Sequence, residues 1–274
     1  METSKLTVPP NACDCHMHVY EERFALAPTA TFKPPPAPAS EYRKMQAALG
    51  LQRVVVVQPT AYGFDNTCTM EAVAALGAGA RAIAVVAPEV TDAELARLTN
   101  AGARGLRFFM LPGGVYSWPQ LAPMAARVGA QGWHVQLQLD GRLLPEHEAA
   151  LCKLPCDLVI DHNGKFLEPV DTSHPAFQSL LRLLDTGRCW VKLSAPYETS
   201  RSGPPEYADV SRLARELVAR HPERCVWASN WPHPNRNPAP SNAAMLDLLL
   251  DWAPAAAVRN RILVDNPAQL YGFD

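Results

Sequence analysis

The chain has 274 residues, 48% of them hydrophobic, and a formal charge of −2, enough apolar material for one large core and close to the roughly 250 residues of a single α/β barrel. The balanced charge supplies no basic field for a nucleic-acid backbone or an anionic bilayer, so a small molecule is the expected partner and neither nucleic acid nor membrane is. No run approaches the ~20 apolar residues that span a bilayer, and Met1 to Asn11 lacks a charged and then apolar signal, so a cytoplasmic location is expected.

Short β-rich runs alternate with segments of helical apolar spacing, the pattern of successive βα units. The first strand reads Cys13 to His18. A proline-dense stretch from Pro28 to Pro38 follows. It cannot hold a helix interior, so residues 19–40 are expected as an extended loop over the active-site face. A helix from Ser40 to Leu49 leads to a strand from Arg53 to Gln58, whose Val54 to Val57 run lacks polar alternation, as in strands buried on both faces. Then come a helix from Thr69 to Gly77 and a strand from Ala82 to Ala87. The next helix, Thr91 to Ala101, opens with Thr91 and Glu94 at capping-box spacing. The fourth strand is Gly105 to Phe109, the helix after it Trp118 to Gln131, and the fifth strand His134 to Leu139. A helix from Pro145 to Cys152 precedes strand six, Leu158 to Asp161. A helix from His174 to Asp185 precedes strand seven, Trp190 to Ser194. The last unit is a helix from Glu206 to Arg220, a strand from Val226 to Ser229 and a helix from Ser241 to Trp252, with residues 254–271 packing outside.

No GxGxxG or GxxxxGK[ST] follows an early strand, which removes the phosphate-binding rationale for an open doubly wound sheet. The expected fold is a single-domain (β/α)8 TIM barrel. The seven cysteines are scattered without CxxC pairs and read as reduced packing thiols.

The chemistry lies where polar residues fall at strand ends, because in a barrel these ends meet on one face. His16 and His18 are two apart at the end of strand one, so an extended strand points both to one face. His162 ends strand six beside Asp161, and strand eight runs through Ser229 and Asn230 to His233. A lone strand histidine is usually a satisfied structural residue; a same-face pair with a third imidazole reads as a site. Gln58, Arg107, Gln136, Gln138, Lys192 and Ser194 fall on the same side. Arg107 offers a guanidinium fork for a substrate carboxylate or merely for a neighbouring one. Lys165 and Lys192 read as pocket cations or solvated charges. Asp65 and Asn66 read as turn formers. His134 reads as structural, and His147, His174 and His221 as solvated at helix edges.

Asp14-Cys15-His16-Met17-His18, Val57-Gln58 with Asp65-Asn66, Gly105-Leu106-Arg107-Phe108, Asp161-His162-Asn163-Gly164 and Trp231-Pro232-His233-Pro234 resemble, in their order, the amidohydrolase superfamily. Within it they are most similar to the branch of 2-pyrone-4,6-dicarboxylate lactonase and D-galactarolactone isomerase, and the resemblance spans Asn11 to Tyr271. The resemblance implies action on a carboxylated lactone without metal, in hexuronate or aldarate breakdown. It departs at Asn230, where an aspartate is expected. An amide can be neither the general base that deprotonates a hydrolytic water nor a good zinc ligand, although His16, His18 and His162 could bind zinc on paper.

The stretches Asp161 to Pro169 and Lys192 to Glu198 look more like the isomerase side of the branch. On this reading His16, His18, His162 and Asn230 are catalytic, with His162 as proton shuttle. Gln58, Arg107, Gln138, Asn163, Lys165, Lys192, Ser194, Tyr197 and His233 would bind the sugar acid. The expected reaction is isomerisation of D-galactaro-1,5-lactone to the 1,4-lactone. A metal-independent lactone hydrolase and an inactive carbohydrate-acid binder are the alternatives.

Overall fold

The computed structural model describes residues 3–274. Eight parallel strands follow one another round a single sheet in chain order: β1 (Cys13–Met17), β2 (Arg53–Val57), β3 (Ala80–Ala84), β4 (Ala103–Phe109), β5 (His134–Gln138), β6 (Leu158–Ile160), β7 (Cys189–Leu193) and β8 (Cys225–Trp227). Ladder hydrogen bonds join each strand to the next. The seam between β8 and β1 is drawn together just beyond the strands. There the Asn230 N–H donates to the His16 carbonyl at 2.8 Å and the His18 N–H to the Trp231 carbonyl at 2.9 Å. The sheet is thus a nearly closed barrel, as expected.

Helices α1 (Ala39–Leu49), α2 (Thr67–Leu76), α3 (Asp92–Asn100), α4 (Leu121–Gly129), α5 (Leu144–Leu151), α6 (Pro175–Asp185) and α7 (Ala208–Arg220) separate the strands, and α8 (Asn242–Trp252) follows β8. Most bury an apolar stripe; in α6 it is Phe177, Leu180, Leu181 and Leu184. The Thr91 hydroxyl accepts from the Glu94 N–H at 3.2 Å and caps α3 as its spacing predicts. Two short helices, α9 (Ala256–Asn260) and α10 (Asn266–Tyr271), flank a π-helical turn at Arg261–Asp265. Among the described residues no helix is long and apolar enough to cross a membrane.

Several boundaries move, for identifiable reasons. β3 begins at Ala80, and it ends at Ala84 rather than at residue 87 because loop side chains capture the next amides: Asn66 Oδ1 accepts from the Val85 N–H at 2.9 Å and the Tyr116 hydroxyl from the Val86 N–H at 3.1 Å. Asn66 therefore clasps two loops together rather than only forming a turn. Trp118–Gln120, with Pro119 inside it, is a tight 3-10 turn ahead of α4. His221 is buried at the end of α7 with Nε2 3.4 Å from Asp185, not solvated. All seven cysteines are free.

Inside the barrel, Cys13, Val55, Ile83, Val159, Trp190 and Val226 form an apolar lower layer. Tyr271 and Phe273 of the C-terminal segment join it as a plug, held by Arg81 Nη2 donating to the Gly272 carbonyl at 2.7 Å. His134 belongs to this structural layer. Its ring leans over Gly105, where an added Cβ would lie 2.6 Å from Nε2, so only glycine fits there. Polar side chains take over above this layer.

Candidate active site

A one-residue bulge in β1 aims the first two histidines. Asp14 pairs with Val54 and Met17 with Val56, three steps on one strand against two on the other. The extra residue lets His16 and His18 both face the barrel mouth while Met17 packs in the outer core; bulges commonly re-aim side chains in this way. Asp14 points outward and anchors the turn. Its buried carboxylate accepts from the His16 N–H at 3.2 Å, the Tyr42 hydroxyl at 3.0 Å, the Ser229 N–H at 2.9 Å and the Ser229 hydroxyl. Burial pushes its pKa above the usual carboxylate value, and those donors pull it back.

Beneath the histidines lies a polar floor with no solvent exposure at His16, Gln136, Asp161 or Lys192. The Lys192 ammonium donates to Gln136 Oε1 at 2.6 Å, lies 3.3 Å from His16 Nδ1 and pairs with Asp161 Oδ1 at 3.6 Å. Gln136 Nε2 donates to Asp161 Oδ2 at 3.1 Å and lies 3.4 Å from His16 Nδ1. His16 Nε2 meets His18 Nε2 at 3.2 Å, and His18 Nδ1 reaches the Val57 carbonyl at 2.7 Å. Burial, then the nearby ammonium, pushes the His16 pKa well below the usual imidazole value. Burial likewise takes His18 down to about 3 and Lys192 down to about 8. All three site imidazoles are therefore neutral near pH 7, since burial also depresses His162.

The chain leaves β6 through consecutive left-handed residues, with φ of 55° at His162, 56° at Asn163, 95° at Gly164 and 49° at Lys165. Of the eight described non-glycine residues with positive φ, six lie just after β6, β7 or β8: His162, Asn163, Lys165, Ala195, Asn230 and His233. Such backbone strain gathers at functional sites. It turns the His162 ring to within 4.9 Å of the His16 ring, centroid to centroid. His162 Nδ1 meets the Ser194 hydroxyl at 2.8 Å, and Asn163 Nδ2 donates to the Ser194 carbonyl at 2.8 Å.

The β8 end is a second network. Asn230 Nδ2 donates to the Tyr197 hydroxyl at 2.8 Å and to Glu198 Oε1 at 2.9 Å. Tyr197 is in turn 2.7 Å from His233 Nδ1, and His233 Nε2 is 2.9 Å from Asn242 Oδ1. Lys165 pairs with the other oxygen of Glu198, and burial lowers its pKa to about 8. Both donors of Asn230 are thus committed to the wall, which leaves its amide oxygen for a ligand.

Arg107 is different. It is 4% exposed and donates to the Gln58 carbonyl at 2.8 Å and to Gln138 Oε1 at 3.1 Å, while Nε is buried without a partner. Among the described residues no carboxylate pairs with it, and a buried, unneutralised guanidinium is costly unless it receives an anion. Gln58 joins the site only through this carbonyl. Its side chain turns away, with Nε2 donating to the Gly63 and Asp65 carbonyls and Oε1 accepting from Thr69.

The 19–40 segment starts beside His18. Tyr20 and Ala37 exchange backbone hydrogen bonds at 3.0 and 2.7 Å, and the Tyr20 ring stands 6.1 Å from that of His18. Sequence reasoning gave no role to Asp14 or Glu198. The side-chain partners of Asp14 come from α1 and the β8 end, and Glu198 ends the short turn after β7, so neither carries a periodic signal.

A (β/α)8 barrel with converging imidazoles at its strand ends defines a barrel enzyme scaffold. The chain belongs to the amidohydrolase family, whose sequence profile matches residues 13–273. It is 38% identical over 269 residues to D-galactarolactone isomerase from Agrobacterium fabrum, covering 96% of this chain and 91% of that one. It is 33% identical over 277 residues to a 2-pyrone-4,6-dicarboxylate hydrolase from Comamonas testosteroni, covering 96% and 91%. A crystal structure of an Agrobacterium tumefaciens protein in its apo form superposes with a TM-score of 0.94, at 36% identity and 99% coverage of both chains.

Proposed function

We propose that the protein is a lactone isomerase that converts D-galactaro-1,5-lactone to the 1,4-lactone by intramolecular acyl transfer. The observation that carries this reading is the side-chain amide at position 230, held by Tyr197 and Glu198 where hydrolysis would need a base. Support comes also from the relative named a D-galactarolactone isomerase and from the unneutralised Arg107, a fitting clamp for the free carboxylate.

The substrate's O4 hydroxyl attacks C1, so that a C1–O4 bond forms and the C1–O5 bond breaks. The proton lost by O4 ends on O5, and no atom is gained or lost. His16 and His18 flank the carbonyl, whose oxygen gains charge in the tetrahedral state. His162 carries the proton: its ring is neutral, Ser194 fixes Nδ1 and, among the described residues, Nε2 has no protein partner. The Asn230 amide oxygen accepts from a sugar hydroxyl.

His16, Asp161 and His162 offer ligand atoms within 4.8 Å of one another, yet the surroundings suit a divalent cation poorly. The Lys192 ammonium stands against both His16 Nδ1 and Asp161, Arg107 is unneutralised, and position 230 supplies an amide. The reaction is therefore read as metal-independent.

Proton NMR of the enzyme mixed with galactaro-1,5-lactone, with and without a chelator, tests the reading. Appearance of the 1,4-lactone at the same rate in both samples is expected. An open diacid as first product would make the protein a hydrolase, tight binding without turnover would make it a binder, and chelator-sensitive turnover would overturn metal independence.

A further inference from the structure

We propose that Lys192 is a positioning residue: it fixes His16 as the Nε2–H tautomer and so makes His16 the hydrogen-bond donor, and His18 the acceptor, at the mouth of the barrel. Each link of the chain is set by a group that has only one possible role. The Val57 carbonyl can only accept, so His18 Nδ1, 2.7 Å away, carries the proton and His18 Nε2 bears a lone pair. At the other end the Lys192 ammonium can only donate, and it lies 3.3 Å from His16 Nδ1. Gln136 presents Nε2–H to the same nitrogen at 3.4 Å, because its Oε1 is taken by Lys192 at 2.6 Å. Two donors therefore face His16 Nδ1, which must accept. The single proton of that neutral ring is left on Nε2, aimed at the His18 lone pair 3.2 Å away.

One acceptor competes for His16 Nδ1. Asp161 Oδ1 lies 3.4 Å from it, but the contact is not aligned as a hydrogen bond, and Oδ1 has no hydrogen-bond partner. Asp161 is held instead by the Lys192 ion pair and by Gln136 Nε2. Without the ammonium His16 Nδ1 loses its nearer donor, and Gln136 loses the contact to Oε1 that turns its Nε2–H toward the ring. The ring would shift its proton to face Asp161, leaving two opposed Nε2 lone pairs at the mouth and no donor there.

The consequence for a bound carbonyl compound is a division of labour. His16 Nε2–H can swing its hydrogen bond from His18 to the carbonyl oxygen, and His18 Nε2 is then free to accept from a substrate hydroxyl. Lys192 touches neither group of the substrate; it is sealed beneath the imidazoles without solvent exposure.

The test is long-range proton–nitrogen correlation NMR of the full-length protein with labelled imidazole nitrogens at pH 7. The wild-type protein should show His16 protonated at Nε2 and His18 at Nδ1. Lys192→Met should move the His16 proton to Nδ1 and leave His18 unchanged, and Lys192→Arg, which keeps a donor there, should retain the wild-type tautomer. A His16 protonated at Nδ1 in the wild type would overturn the proposal without any variant, and so would a His16 tautomer indifferent to Lys192→Met. A second arm rests on the lactone reading: isomerase turnover should fall by about 100-fold or more in Lys192→Met, in line with loss of a polarising donor, with KM little changed and partial recovery in Lys192→Arg. The tautomer result does not depend on the substrate, so failure of the lactone assay with the expected spectra would count against the reaction and not against the role of Lys192.

Discussion

At His162 the backbone holds a φ of 55° and burial keeps the ring neutral, the state in which an imidazole nitrogen can accept a proton. His162→Ala should cut turnover by at least about 100-fold, the lower range for a general acid–base group, while leaving the fold intact by circular dichroism. Near-normal turnover in the folded variant would remove the shuttle role. Arg107 is argued to hold a carboxylate, so Arg107→Ala should weaken binding of galactarate, the open diacid, by roughly 10- to 100-fold in calorimetry, the loss of one charge-assisted contact. Unchanged affinity would mean that the anion sits elsewhere. The three imidazoles were legible as a site because period-two spacing and strand-end position can be read directly from residues 16, 18 and 162. Gln58 was not legible: β2 turns Val55 and Val57 inward and residue 58 away from the barrel interior, a parity that only the observed register reveals.

Among the elements, the β1–β8 seam carries the most on the fewest contacts. Asp14 links β1, α1 and the residue before Asn230, so it positions the segments that carry His16 and Asn230 at once. Removing its carboxylate orphans four donors, and each buried orphan costs about 1–3 kcal/mol. Asp14→Ala should therefore lower stability by about 3 kcal/mol or more, read as a fall in the urea midpoint, whereas a midpoint within error of wild type would show that the seam closes without it. The alternation of eight strands and helices was readable from hydrophobic period and turn residues. The β1 bulge was not, since an HxH pair on one face looks alike with or without an inserted residue. Nor was the early end of β3, which is decided by side chains of Asn66 and Tyr116 arriving from other loops.

For the whole molecule, burying neutral imidazoles links the fold to pH. Burial lowers His16 and His162 well below the usual value, His18 and His134 to about 3, and His233 to about 4. In the unfolded chain these rings take up protons near pH 6.5, and in the fold they refuse them, so their contribution to stability is at its full value above about pH 6.5 and is lost as pH falls toward the depressed values. Urea midpoints measured at pH 7.5, 6 and 5 should decline steadily, and a flat series would show that the rings protonate within the fold. Barrel class and size were the most legible features, because composition and alternation belong to the entire chain. The relation between Lys165 and Glu198 was the least legible, since it joins two loops after different strands.

The central claim is that a substrate hydroxyl, not water, attacks the lactone. It is tested most directly by running the conversion of galactaro-1,5-lactone in water enriched in heavy oxygen and weighing the 1,4-lactone formed. Direct acyl transfer predicts a product free of solvent oxygen, and a heavy oxygen in its carboxyl or lactone groups would show that the ring opens to water first.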